Sequence, residues 1–121
     1  MGKDLQLDVR AFRDIRIVDI SGRLDDFTTP DARSALDELI AGGDQTILLQ
    51  CSGLDYINSE GLRLFLGSLQ KMRANGGTLS LSCLQPQVRK VLKIAGFDTI
   101  FRFYEREDDA LEWLSNRSSR Q

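Results

Sequence analysis

Apolar and polar positions alternate at the start of the chain. Leu5, Leu7 and Val9 are separated by Gln6, Asp8 and Arg10, the two-residue repeat of a half-buried strand. Arg13-Asp14 reads as a turn, and residues 15–20 form a second strand ended by Gly22, so the chain opens on a predicted hairpin. The period then changes. Ala32, Ala35, Leu36, Leu39 and Ile40 fall on one helical stripe, with Thr29 expected as N-cap, Pro30 as the first helical residue and Gly42-Gly43 as the stop. Ile47-Leu48-Leu49 is a continuous apolar run, as in a strand covered on both faces. A second helix is predicted over about residues 60–75, with Leu62, Phe65, Leu66, Leu69 and Met72 as its stripe and Asn75-Gly76-Gly77 as its end. Residues 78–82 alternate again. Pro86 opens a third helix carrying Val88, Val91, Leu92 and Ala95, and Gly96 closes it. Residues 100–104 read as a short strand, Ala110, Leu111 and Leu114 mark a last helix, and residues 115–121 read as a polar tail.

The element order is therefore β-β-α-β-α-β-α-β-α. Strands alternating with helices predict an α/β fold with a mixed, mostly parallel sheet and right-handed crossover helices. A length of 121 residues suits one domain over residues 1–121, with its core at about 5–114. Hydrophobic residues make up 41% and charged residues 28%, an ordinary globular balance. The net charge of -2 argues against a basic nucleic-acid footprint. The sequence contains no His, which excludes Ser-His-Asp and Cys-His catalysis and any His-ligated metal site. Cys51 and Cys83 make no zinc set and are expected to be small buried hydrophobes of a reduced, cytoplasmic protein. No apolar run approaches the roughly 20 residues of a membrane span, so neither membrane nor nucleic acid is expected as a partner.

Since periodicity accounts for most apolar residues, candidate chemistry lies in two loops, residues 22–29 and 51–61. Each follows a strand and leads into a helix, so both belong at the carboxyl edge of the sheet, where open α/β folds place their sites. Asp25, Asp26 and Ser59 are thereby expected to be neighbours. Asp25 and Asp26 suit a turn whose carboxylates accept backbone N–H groups; a Mg²⁺ site with Asp55 is a weaker alternative, and no metal or other cofactor is predicted. Ser59 stands at a helix start. There its hydroxyl, or the Asn58 amide, caps the helix, or else Ser59 is a phosphoacceptor at an anion-tolerant end. Phe27, Tyr56 and Ile57 either plug the core or form an exposed partner patch. Leu64, about 200° around the helix from Leu62, is expected away from the apolar stripe and beside Ser59.

Gly22-Arg23-Leu24-Asp25, Asn58-Ser59-Glu60-Gly61-Leu62, Asn75-Gly76-Gly77, Leu84-Gln85-Pro86-Gln87-Val88 and Ala95-Gly96-Phe97 occur in that order. Together they resemble the STAS domains of bacterial anti-sigma factor antagonists over roughly residues 5–114. The resemblance implies the STAS fold, a right-handed βα superhelix, and a partner switch rather than an enzyme. It implies a serine at the position of Ser59 that is phosphorylated by a GHKL-type serine kinase doubling as the anti-sigma factor. The unphosphorylated antagonist binds that kinase and frees a sigma factor, and a PP2C-type phosphatase restores the active form. The expected partner surface is Asp25, Asp26, Phe27, Tyr56, Ile57, Asn58, Glu60, Gly61, Leu62 and Leu64. Three positions depart from the family pattern: Asn58 where Asp is common, Glu60 where a small residue is usual, and Gln50 at a strand end that is often Asp. Glu60 is expected to disfavour a neighbouring phosphate slightly by like-charge repulsion. The alternatives are a STAS scaffold that is never phosphorylated and a small-ligand sensor near Ser59.

Overall fold

The structure, a computed structural model, describes residues 4–119, with side chains described as far as Asn116. Strand β1 (Leu5–Phe12) pairs antiparallel with β2 (Ile15–Leu24), with Phe12 opposite Ile15 across the Arg13-Asp14 turn. Helix α1 (Thr29–Ala41), β3 (Thr46–Ile57), α2 (Ser59–Ala74), β4 (Thr78–Ser82), α3 (Pro86–Ile94), β5 (Phe103–Tyr104) and α4 (Glu107–Ser119) follow. The sheet order is β1-β2-β3-β4-β5, and every pairing after the first is parallel. Parallel neighbours in sequence order, joined by right-handed crossovers, put α1, α2 and α3 on one face of the sheet. The main core lies there, with Val18, Ile20, Ile47, Leu49, Leu79 and Leu81 packed under Leu36, Phe65, Leu69 and Leu92. The opposite face carries α4, through a smaller cluster of Ile15, Ile17, Leu48, Ala110 and Leu114. This explains the unbroken run at 47–49: the strand is covered on both faces and its residues are fully buried.

Several local expectations are corrected. β3 does not end near residue 50 but continues through the segment read as a loop, because residues 53–57 keep pairing with the end of β2. The register shifts between Asp19 and Ser21, and again between Gly22 and Arg23, the mark of β-bulges. At Gly22 φ is +106°, and any Cβ would run into the carbonyl of Asp4, so only glycine fits. The predicted strand at 100–104 shrinks to two residues, because the segment before it forms a 3-10 turn at Phe97–Thr99. Helix α4 does not give way to a tail at residue 115: it runs to Ser119, and Ser115 is buried against the sheet. Residues 120–121 of the expected tail lie outside the described residues. Cys51 is buried as expected, whereas Cys83 is half-buried, at a φ of 60° just past the end of β4. Among the described residues no helix is long and apolar enough to cross a membrane.

Candidate functional site

The carboxyl ends of β2 and β3 lie side by side, Leu24 opposite Ile57, and each leads at once into a helix. The β2–α1 turn is built on Asp25. Its Oδ1 accepts the N–H groups of Phe27 at 2.9 Å and Thr28 at 3.1 Å, and its Oδ2 accepts from Arg23 Nε at 3.4 Å. The Thr28 hydroxyl donates to Arg23 O at 2.7 Å and accepts the Asp25 N–H at 3.0 Å. Burial opposes the charge on Asp25, but the donors from Thr28, Phe27 and Arg23 outweigh it and hold its pKa below the ordinary carboxylate value. Asp25 thus fixes the turn that precedes α1, and Thr29 is not the cap of that helix. Thr28 occupies the cap position without capping through its side chain, and Thr29 is buried inside the first turn, its Oγ1 without a hydrogen-bond partner among the described residues.

This turn leaves Phe27 nowhere to go but outward. Its side chain is 90% exposed, the most exposed of the large hydrophobic residues described. The turn is tied to the start of α2 by two contacts, Asn58 N–H to Leu24 O at 3.1 Å and Asn58 Nδ2 to Asp26 Oδ1 at 3.1 Å. Asp26, Phe27, Asn58 and Ser59 are therefore one locality, as the sheet-edge reasoning required.

Asn58, in extended conformation, is the N-cap of α2: its Oδ1 accepts the N–H of Glu60 at 3.0 Å and of Gly61 at 3.4 Å. Of the two caps left open by the sequence, the amide takes the role and the Ser59 hydroxyl does not. Ser59 is the first residue of the helix and is exposed, and its hydroxyl has no hydrogen-bond partner among the described residues. The Glu60 carboxylate is ion-paired with Arg63 one turn on, a contact that offsets the charge it places beside Ser59.

Three of the expected surface residues, Leu64, Ile57 and Gly61, are buried instead. Leu64 is 3% exposed, because the buried face of α2 is Gly61, Leu64, Phe65, Ser68, Leu69 and Met72, rotated from the predicted stripe. The rotation was hidden because Gly61 and Ser68 are not apolar; Leu62 and Leu66, placed on the stripe, are only half-buried. Ile57 is also buried, and it lies against Gly61, where a Cβ would stand 2.5 Å from Ile57 Cγ1 and 2.9 Å from Leu24 Cβ. Gly61 is therefore a packing residue. Tyr56 stays exposed at 40%, with the Arg23 guanidinium 4.2 Å above its ring.

Residues given no role by the sequence complete the rim. Gln85 Nε2 donates to Ser52 O at 2.7 Å and Gln87 Nε2 to Asp55 O at 3.2 Å, so the start of α3 holds the free edge of β3. The Gln-Pro-Gln spacing around a helix start was the available signal, but nothing in the sequence says which backbone it serves.

Residues 6–110 match the STAS domain family model. The chain is 30% identical over 112 residues to the anti-sigma F factor antagonist of Paenibacillus polymyxa, covering 92% of this chain and 96% of that one. It is similar in structure to the anti-sigma factor antagonist SpoIIAA in its unphosphorylated form, with a TM-score of 0.78, 25% identity, and coverage of 93% of this chain and 96% of that one. An anti-sigma factor antagonist from Mycobacterium paratuberculosis has the same fold, with a TM-score of 0.83 at 23% identity, over 89% of this chain and 92% of that one.

Proposed function

The chain belongs to the STAS domain family, and from that premise we propose that it is an anti-sigma factor antagonist, a cytoplasmic binding protein switched by phosphate on Ser59. Its partner in this reading is an anti-sigma factor that is also a GHKL-type serine kinase. The kinase binds the unphosphorylated chain, and a PP2C-type phosphatase removes the phosphate. The observation that carries the reading is the division of labour at the start of α2. Asn58 satisfies the first backbone N–H groups, so the Ser59 hydroxyl is exposed and uncommitted. A phosphate added there leaves the cap intact and projects from the positive end of the helix dipole.

The partner surface in this reading is Phe27 with Asp25, Asp26, Tyr56, Asn58, Glu60 and the half-buried Leu62 around Ser59. Exposed Phe27 supplies an aromatic anchor of the kind that dominates interfaces. Leu64, Ile57 and Gly61 act from below, by setting where α2 begins. A phosphate trapped in such an interface loses its water without gaining a counter-charge. Moving a two-state system from 1:99 to 99:1 takes about 5.5 kcal/mol, within reach of one desolvated dianion.

The test is phosphopeptide mapping of the protein from its own cells, with calorimetry of the Ser59 variants against the co-purifying kinase. Phosphate on Ser59, with binding lost in Ser59→Asp and kept in Ser59→Ala, is the expected result. Equal affinity of the two variants refutes the switch. An unmodified Ser59 that also resists candidate kinases and ATP points to a constitutive STAS scaffold.

A further inference from the structure

A cavity of about 610 Å³ opens at the β4 edge of the sheet, lined by the second half of α2, by β4, α3 and α4, and by residues 98–104. None of its lining comes from the loops around Ser59. The cavity exists because β5 is so short. It covers only Leu81 and Ser82 of β4, leaving residues 78–80 with no strand on that side. The Leu81 N–H donates to Arg102 O and the Cys83 N–H to Tyr104 O. By the two-residue repeat the Leu79 N–H faces the same way, and among the described residues it meets no acceptor there.

The charge around this gap is not that of the whole chain. The net charge of the protein is -2, yet Arg73, Arg89, Lys93 and Arg102 line the cavity against Asp98. Even with Glu105, which pairs with Arg89 at 2.8 Å, positive charge here exceeds negative by two. Two more of these cations are held in place. Arg73 donates to Ile100 O at 2.9 Å, and the Arg102 guanidinium lies 4.8 Å from the Trp113 ring. Lys93 is exposed and has no ion-pair partner among the described residues. Thr78 and Ser80 add polar side chains from β4.

We propose that this cavity is a binding site for a small polar polyanion bearing carboxylate or phosphate groups. The Leu79 N–H and Ser80 would meet one anionic group, and Lys93 and Arg102 would supply the counter-charge. A volume of this size suits a small metabolite, and excess positive charge beside a low-dielectric wall concentrates anions. The site is independent of the phosphate switch. It does touch the same helix: Arg73 lies about 21 Å along α2 from Ser59, at 1.5 Å per residue.

The experiment is a titration of the full ¹⁵N-labelled chain with citrate and, separately, with inorganic phosphate, at fixed pH and ionic strength, read by amide NMR. The expected result is a saturable shift at Leu79, Ser80, Lys93 and Arg102 with one or both probes, in about the millimolar range or tighter. Saturation with citrate alone identifies a polycarboxylate ligand, and with phosphate alone a phosphate ester. Lys93→Gln combined with Arg102→Gln should weaken binding at least about tenfold. Both residues are exposed, so the variant keeps its core, which its own spectrum verifies. The proposal is overturned if neither probe gives a saturable shift at these amides. It also fails if the shifts rise linearly at all surface cations, or survive the double substitution unchanged.

Discussion

Gly61→Ala tests whether close packing, rather than a surface contact, explains the glycine two residues after Ser59. The added methyl would stand 2.5 Å from Ile57 Cγ1, 2.9 Å from Leu24 Cβ and 3.1 Å from Ile57 Cδ1. Carbon atoms rest at about 3.5–4.0 Å, so something must move by close to an ångström. Neither neighbour yields easily: Leu24 is 0% and Ile57 4% exposed, and Leu24 Cβ is fixed to its backbone. Overpacking of this kind costs about 1–3 kcal/mol. Replacing Gly by Ala in a helix returns up to about 1 kcal/mol, so one variant alone would give a blurred answer. Gly67 provides the correction. It lies in the same helix, and a Cβ there meets nothing within 4 Å. Gly67→Ala should therefore stabilise the protein by about 0.5–1 kcal/mol. Gly61 lies in the first turn of α2, where the propensity gain is no larger than at Gly67, so Gly61→Ala should fall at least about 1 kcal/mol below Gly67→Ala in urea unfolding, at unchanged m-value. Equal stability of the two variants would refute the steric argument and return Gly61 to the set of candidate contact residues.

Two further predictions follow from the hydrogen bonds. Asn58→Ala removes the acceptor for the Glu60 and Gly61 N–H groups and the tie to Asp26, so urea unfolding should show a loss of about 1–2 kcal/mol. A loss smaller than that of a typical exposed substitution would mean that Ser59 can take over the cap. On the opposite face of the sheet, the Arg10 guanidinium holds the Glu107 pKa below its ordinary value, against the opposing effect of burial. A lowered carboxylate pKa contributes stability above the unfolded value, near pH 4.3, and the contribution is lost as pH falls through the folded value. Glu107→Gln should therefore cost up to about 1 kcal/mol at pH 7 and nothing once Glu107 is protonated, a convergence visible in melting curves at the two pH values. A pH-independent difference would show that Glu107 acts through packing alone.

Local pattern was sufficient for the hairpin, the helix positions and the parallel order, because each depends on the period of a short window and on Gly and Pro at its ends. It was also sufficient to bring Asp25, Asp26 and Ser59 to one edge, since βα loops of a parallel sheet share that edge. It failed where the deciding contact came from another part of the chain. Leu64 is buried because α2 is rolled to let Gly61 touch Ile57 and Leu24, and a stripe drawn through large apolar residues cannot see a glycine contact. β3 reaches Ile57 because β2 offers it partners through two register shifts, and no window of β3 itself records them. Ser115 joins the core because α4 packs on Ile15, Ile17 and Leu48, all far away in sequence.

The sequence by itself determined the fold family and pointed to the serine of the proposed switch, because both readings rest on short motifs whose spacing survives in one dimension. Only the tertiary structure decided which residue caps α2, which apolar residues face solvent and where positive charge collects. These outcomes depend on what stands opposite a side chain, and that neighbour is set by packing, not by the residues beside it in the chain.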